Sequence, residues 1–137
     1  MSAVIDTNVV AYYLLGTEPF ALEARRFWRA TDQPLAPAHW QAELANVVWM
    51  AIRTGAVSAD EGHRRLDFAS RLRVQAVPIG SLWQLALTLS LESGLSAYDT
   101  LFVALAQRRR LPLVTFDKQV LKVFPDVAKR PGDIAPE

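Results

Sequence analysis

The stretch Met1-Ser2-Ala3-Val4-Ile5-Asp6-Thr7-Asn8 decides the fold class of this chain. A short continuous apolar run, Ala3-Val4-Ile5, leads straight into a carboxylate. An unbroken apolar run of this length reads as a strand buried on both faces, as in a parallel sheet. Asp6 then falls at the strand's C-terminal end, where open α/β sheets form their ligand crevices. Near the other end of the chain, Leu111-Pro112-Leu113-Val114-Thr115-Phe116-Asp117 repeats the pattern of a short apolar strand ending in an acid.

Between these two strands the sequence alternates helix and strand signals. Val9 to Leu15 reads as a short helix stopped by Gly16. Pro19 suits a first helical position, with Phe20, Ala24, Phe27 and Trp28 forming one stripe. Pro34-Leu35-Ala36-Pro37 is a short extended piece, and its flanking prolines predict an edge strand or a connector. A helix is predicted from about Ala38 to Thr54, closed by Gly55, with Trp40, Leu44, Val47 and Ala51 as its buried stripe and Glu43 on the same side. Ser58 with Glu61 forms a capping box for a helix with Leu66 and Ala69 inward. Val74 to Ile79 alternates like a strand. Ser81 is expected to cap a helix from Leu82 to Ser93. Ser96-Ala97-Tyr98-Asp99 opens a further helix, with Tyr98, Leu101, Phe102 and Leu105 on one face. Lys118 to Phe124 is a helical turn, and residues 125–137 are expected to be irregular. Such alternation implies right-handed crossovers and an α/β fold, a central parallel sheet with helices on both faces.

Composition narrows the function. The chain has 137 residues, 51% of them hydrophobic, enough for one domain with a sizeable core. It has no cysteine, which removes disulfides, thiolate catalysis and Cys-based zinc sites. His39 and His63 are too few for a His-rich metal site. There is no basic leader and no apolar window of membrane-spanning length, so the expected location is cytoplasmic. Net charge is only +1, but twelve of the fifteen basic residues are arginines, grouped at 25–29, 64–65, 71–73 and 108–110. The guanidinium fork suits phosphate, although a solvated helix face is the readier explanation of any one group.

Four acids stand out: Asp6, Glu43, Asp99 and Asp117. Asp6 and Asp117 each also suit a helix N-cap, and Asp99 suits the acidic position of a capping box opened by Ser96. Glu43 on an apolar stripe is harder to explain, since a buried unpaired carboxylate costs several kcal/mol and no Arg or Lys lies within a helical turn. Two of the acids end strands and two occupy early helical turns, all elements that can open on one end of a sheet. Clustered carboxylates repel one another unless a cation is present, and hard ions such as Mg²⁺ or Mn²⁺ prefer all-oxygen sites. Thr7, Asn8, Thr100 and Thr115 place hydroxyl or amide groups next to three of the acids, suited to supporting them or to capping helices.

The ordered set Asp6-Thr7-Asn8, Glu43-Leu44-Ala45-Asn46, Tyr98-Asp99-Thr100 and Leu113-Val114-Thr115-Phe116-Asp117 resembles the PIN domain, and within it the VapC type of bacterial and archaeal toxin. The resemblance runs from about residue 2 to 124. It implies a PIN-like fold and a Mg²⁺- or Mn²⁺-dependent endoribonuclease with Asp6, Glu43, Asp99 and Asp117 as the acidic metal site. It also implies an RNA substrate, a homodimer, and inhibition by a cognate VapB-type antitoxin that carries the pair's affinity for operator DNA. Two rivals stand beside it. A phosphatase of the haloacid-dehalogenase type requires a second Asp two residues after the first, where this chain has Asn8. A non-catalytic PIN-like module would bind an antitoxin or RNA without cutting.

Overall fold

The computed structural model describes residues 1–135. Five strands, β1 (Ser2–Ile5), β2 (Gln33–Pro37), β3 (Gln75–Val77), β4 (Leu113–Val114) and β5 (Ala128–Lys129), form one sheet in the order β3-β2-β1-β4-β5. Every pairing is parallel, with Val4 opposite both Leu35 and Leu113. The chain therefore steps outward from β1 to β2 to β3, then crosses back over β1 to start again at β4 and β5. Right-handed crossovers put the helices of the first run on one face and those of the second on the other.

The first group is α1 (Thr7–Leu15), α2 (Ala21–Ala30), α3 (Trp40–Arg53) and α4 (Ala59–Ser70), which pack on one another. The second is α5 (Trp83–Ser93), α6 (Ala97–Arg109) and the short α7 (Lys118–Val123), with α6 lying on β1, β2 and β4. Ala3, Val4, Ile5, Leu113 and Val114 have at most 1% of their surface exposed, as a strand covered on both faces requires. In α6 every residue from Thr100 to Ala106 is buried, so this helix is apolar all round and forms the centre of its layer.

Several expectations are corrected here. β2 is an interior strand between β1 and β3, not an edge; its prolines fall at the second and last positions, leaving the Leu35 and Ala36 amides for the ladder. The buried stripe of α3 is Trp40, Leu44 and Val48, a strict i, i+4, i+8 row, while Val47 is exposed. Tyr98 is also exposed, because the first turn of α6 overhangs the sheet end. Ser81 does not cap α5: a single 3-10 turn (Ile79–Ser81) intervenes, and the Ser81 hydroxyl donates to the Pro78 carbonyl.

Residues 125–135 of the segment expected to be irregular instead add β5, paired with β4, and a final helical turn α8 (Pro131–Ile134) against α2, while 136–137 lie outside the described residues. The reason lies in a long-range pair. Arg130 donates to both carboxylate oxygens of Glu23, whose Oε2 also accepts from the Gly132 amide at 2.8 Å. A side chain at Gly132 would meet that carboxylate, which explains glycine there.

Candidate metal and nuclease site

The strand order reverses between β1 and β4, and in open α/β sheets that switch point opens a crevice at the strands' C-terminal ends. Asp6 leaves β1 at this point, and Thr115, Phe116 and Asp117 leave β4 beside it. Asp6 is the N-cap of α1, its Oδ1 accepting from the Thr7 amide at 2.8 Å. Its Oδ2 accepts from the Thr115 hydroxyl at 2.8 Å. The capping role is thus real, and it uses only one of the two oxygens.

The other acids arrive from three elements. Glu43 lies in the first turn of α3, just after β2, and its Oε1 accepts from the Thr7 hydroxyl at 2.8 Å. Asp99 lies in the first turn of α6, whose N-cap Ser96 accepts from the Asp99 amide. Asp117 caps α7, its Oδ1 accepting from the Gln119 and Val120 amides.

The acids sense one another. Burial pushes the Asp6 carboxyl up to about 7, and repulsion from Glu43 and Asp99 adds to that rise against the Thr115 and Thr7 hydrogen bonds. Burial likewise raises Asp99, with repulsion from Asp117 and then Glu43 acting in the same direction. All four carboxylates therefore share one electrostatic site. Their side chains are not closed around a point: among the described residues, no three His, Asp or Glu side chains form a ready-made metal-binding group.

Of the supporting residues, three belong to the site. Thr7 holds Glu43. Thr115 donates to Asp6 and accepts from the Asp117 amide at 3.0 Å. The Asn8 carboxamide bridges the same loop, donating to the Thr115 hydroxyl and accepting from the Phe116 amide. Thr100 does not belong. One residue on from Asp99, it is rotated about 100° round the helix, and its hydroxyl bonds the Ala86 carbonyl and Ser90 of α5 at 2.8 Å each.

His39 is the residue that sequence inspection missed. It occupies the N-cap position of α3 without a capping hydrogen bond, is nearly buried, and sits 3.7 Å from Glu43 Oε1. Its Nε2 is 3.1 Å from the Tyr98 carbonyl, which can only accept, so that nitrogen carries the proton. Its Nδ1 is buried without a hydrogen-bond partner among the described residues. The signal was available: His39 is four residues before Glu43, directly after a strand end. Glu43 correspondingly needs less than a buried acid would, since its side chain is 31% exposed and already hydrogen-bonded.

With this geometry in view, the likenesses to known proteins become informative. The family model for the PIN domain matches residues 3–129. The ribonuclease VapC3 of Pyrobaculum aerophilum is 32% identical over 87 residues, which cover 61% of this chain and 65% of that protein. Three solved structures share the fold. A chain of a toxin–antitoxin complex from Klebsiella pneumoniae aligns with TM-score 0.64 and 22% identity, covering 94% of this chain and 97% of that one. VapBC2 from Rickettsia felis, bound to a DNA fragment from its promoter, aligns with TM-score 0.65 and 15% identity over 95% and 98% of the two chains. FitAcB from Neisseria gonorrhoeae aligns with TM-score 0.67 and 18% identity over 96% and 98%. At these identities the three structures speak to the fold alone.

Proposed function

The chain belongs to the PIN domain family, and from that premise we propose that it is a metal-dependent endoribonuclease of the VapC type, the toxin of a toxin–antitoxin pair. The observation that carries the proposal is the convergence of Asp6, Glu43, Asp99 and Asp117 on the switch-point crevice, with Asp6 raised to about 7 by burial and by its neighbours. Such a site holds negative charge that only protons or a cation can relieve.

The donors fit Mg²⁺ or Mn²⁺: four carboxylates, no thiol, and a histidine turned toward a carbonyl. Asp6, Glu43 and Asp99 would hold the ion or ions, with Asp117 as a further ligand or a support. When bound, the metal supplies charge for the phosphodiester oxygens and a lowered pKa for attacking water. The protein's own part is orientation. Thr115 and the Thr7 amide fix the two oxygens of Asp6. The Thr7 hydroxyl fixes Glu43, so that a single residue of α1 contacts both acids. His39 stands between Glu43 and the first turn of α6. The Asp117 carboxylate is held through one oxygen by the amides it caps, and its charge is felt at Asp99.

The relatives support, as proposals, an RNA substrate and a VapB-type antitoxin partner; a homodimer and operator DNA engaged through the antitoxin rest on the family resemblance alone. A PIN module that binds without cutting is the second reading, favoured by the open arrangement of the acids. One experiment separates the two. RNA cleavage is measured with Mg²⁺ or Mn²⁺ for the unaltered protein, Asp6→Asn and Asp99→Asn. A hundredfold or greater loss in each variant, about 3 kcal/mol or more of transition-state stabilisation, is the expected outcome. Cleavage that persists in EDTA or in either variant refutes the metal-site assignment. No cleavage by the unaltered protein under any metal favours the binding module.

A further inference from the structure

The acid crevice repels phosphates, so an RNA-binding form of this protein needs attraction elsewhere. The four arginine groups, scattered from residue 25 to residue 110, supply it: the fold gathers them at the opposite end of the sheet. Three cavities adjoin there, each sharing lining residues with the next. The first, about 400 Å³, is lined by Arg25, Arg64 and Arg65 with Tyr13 and Phe68. The second, about 400 Å³, shares Tyr13 and Arg25 and adds Arg29, Arg71 and Arg73 beside Trp28. The third, about 530 Å³, shares Asp32, Pro34 and Arg73 with the second and reaches Arg109.

The location follows from topology. Asp32 and Gln33 begin β2, Arg73 precedes β3, Arg29 ends α2 and Arg109 ends α6. All are N-terminal to the strands or at the ends of helices that return from the acid site. β1 spans roughly 13 Å between the two ends. A folded RNA, or a strand of more than a few nucleotides, can touch both.

Charge along this track is unbalanced. Glu61 is engaged by Arg64 and Arg65, and Asp32 by the N-terminal ammonium. Arg71 pairs with Asp67, an exposed pair that leaves most of its donors open. Arg25, Arg29, Arg73 and Arg109 have no carboxylate partner among the described residues. In the second cavity the Thr31 hydroxyl is buried and has no hydrogen-bond partner there either. Arg73 holds a left-handed backbone, φ +55°, that a non-glycine residue seldom adopts.

We infer that this arginine track is an RNA-anchoring surface, gripping the phosphate backbone at a distance from the bond that is cut; the inference rests on the RNA-cleaving reading given above. One small anion would need one cavity, whereas seven arginines spread through three adjoining cavities match a repeating polyanion. The partly exposed rings of Tyr13, Trp28 and Phe68 lie among the guanidiniums, the combination of stacking surfaces and positive charge that single-stranded RNA uses. An acidic protein segment would use the charge and leave the rings idle.

The test compares the unaltered protein with the triple variant Arg29→Gln/Arg73→Gln/Arg109→Gln and with the matching triple lysine variant. Binding of a labelled single-stranded RNA of about 30 nucleotides is followed by anisotropy in EDTA over a salt series, and cleavage of an RNA of about four nucleotides is followed with Mg²⁺. The glutamine variant should bind the long RNA about tenfold or more weakly, with the salt slope reduced by about 2, or ~0.7 for each lost phosphate contact. The lysine variant should keep most of the affinity, which a folding defect would not allow. Cleavage of the short RNA should be unchanged. Unchanged long-RNA affinity and salt slope overturn the inference, as does absence of long-RNA binding by the unaltered protein. Loss of poly-L-glutamate binding with RNA binding intact also overturns it and assigns the track to an acidic partner. Long-RNA binding through the track without any cleavage supports the inference while sinking the nuclease reading; cleavage with track-independent binding does the reverse.

Discussion

Asp6 is the residue at which folding and chemistry pull in opposite directions. Burial, aided by Glu43 and Asp99, raises its carboxyl from 3.8 to about 7. A group whose folded pKa exceeds its unfolded pKa binds more protons when folded. Its stabilisation is therefore complete below about pH 4 and is lost as pH rises through about 7. Asp99 is raised as well and acts in the same direction. The ion-free protein should therefore be less stable near pH 8 than Asp6→Asn. The full shift corresponds to about 4 kcal/mol, but partial solvent access and the lost Thr115 bond leave about 1–2 kcal/mol. Urea melts in EDTA would check this. The advantage of Asp6→Asn should disappear by about pH 4, and an advantage independent of pH would show that charge at position 6 is not its source. Much of this site was legible from residue types alone. Asp6, Glu43, Asp99 and Asp117 stand in the expected places because strand ends and first helical turns are local features. Their pKa coupling was not legible, because it depends on how α1, α3 and α6 meet in space; the His39–Glu43 approach is a local i, i+4 pair whose spacing stood in the sequence.

At the scale of elements, Thr100 shows how one position along a helix changes the job of a side chain. Asp99 faces the crevice, whereas Thr100, fully buried, ties α6 to α5 through Ala86 and Ser90. In Thr100→Val the shape is kept, but the Ser90 hydroxyl and Ala86 carbonyl lose a partner in the core. The cost should be about 1–3 kcal/mol. Metal affinity, read by calorimetry, should be unchanged within about twofold, because no acid is attached to Thr100. A large loss of metal affinity in a well-folded variant would return Thr100 to the site. The same dependence on packing explains the misjudged elements. Prolines argue against a central strand only when they interrupt its ladder, and at the ends of β2 they do not. Val47 and Val48 are equal by propensity, and only the crossing of α3 over its neighbours selects Val48. Tyr98 is apolar enough for a core, yet it lies on the one turn of α6 that overhangs the sheet.

Across the whole molecule, the C-terminal segment braces the site from outside. Nothing local in residues 125–135 announces this, because β5 is two residues long and α8 a single turn. β5 depends on pairing with β4, and α8 on Glu23 of α2, about a hundred residues away. Arg130 is the link. Its guanidinium grips Glu23 of α2 and lies 5.3 Å from the ring centre of Phe116, the residue before Asp117. Tyr12, Phe20 and Phe116 pack beneath it, so the loop that carries Thr115 and Asp117 is pinned between α1 and the C-terminal turn. Arg130→Met keeps an apolar stem over the rings and removes the charge. The Glu23 pair is partly solvent-exposed, so the loss of global stability should be only about 1 kcal/mol or less. The larger effect should be local. Amide exchange at residues 115–117 should quicken about tenfold, and metal affinity should fall with it, since Asp6 takes a hydrogen bond from Thr115. Equal exchange in the two proteins at these amides would mean that the β4 loop is held by its own bonds to Asn8 and Asp6, and that the C-terminal turn closes the sheet without steadying the site.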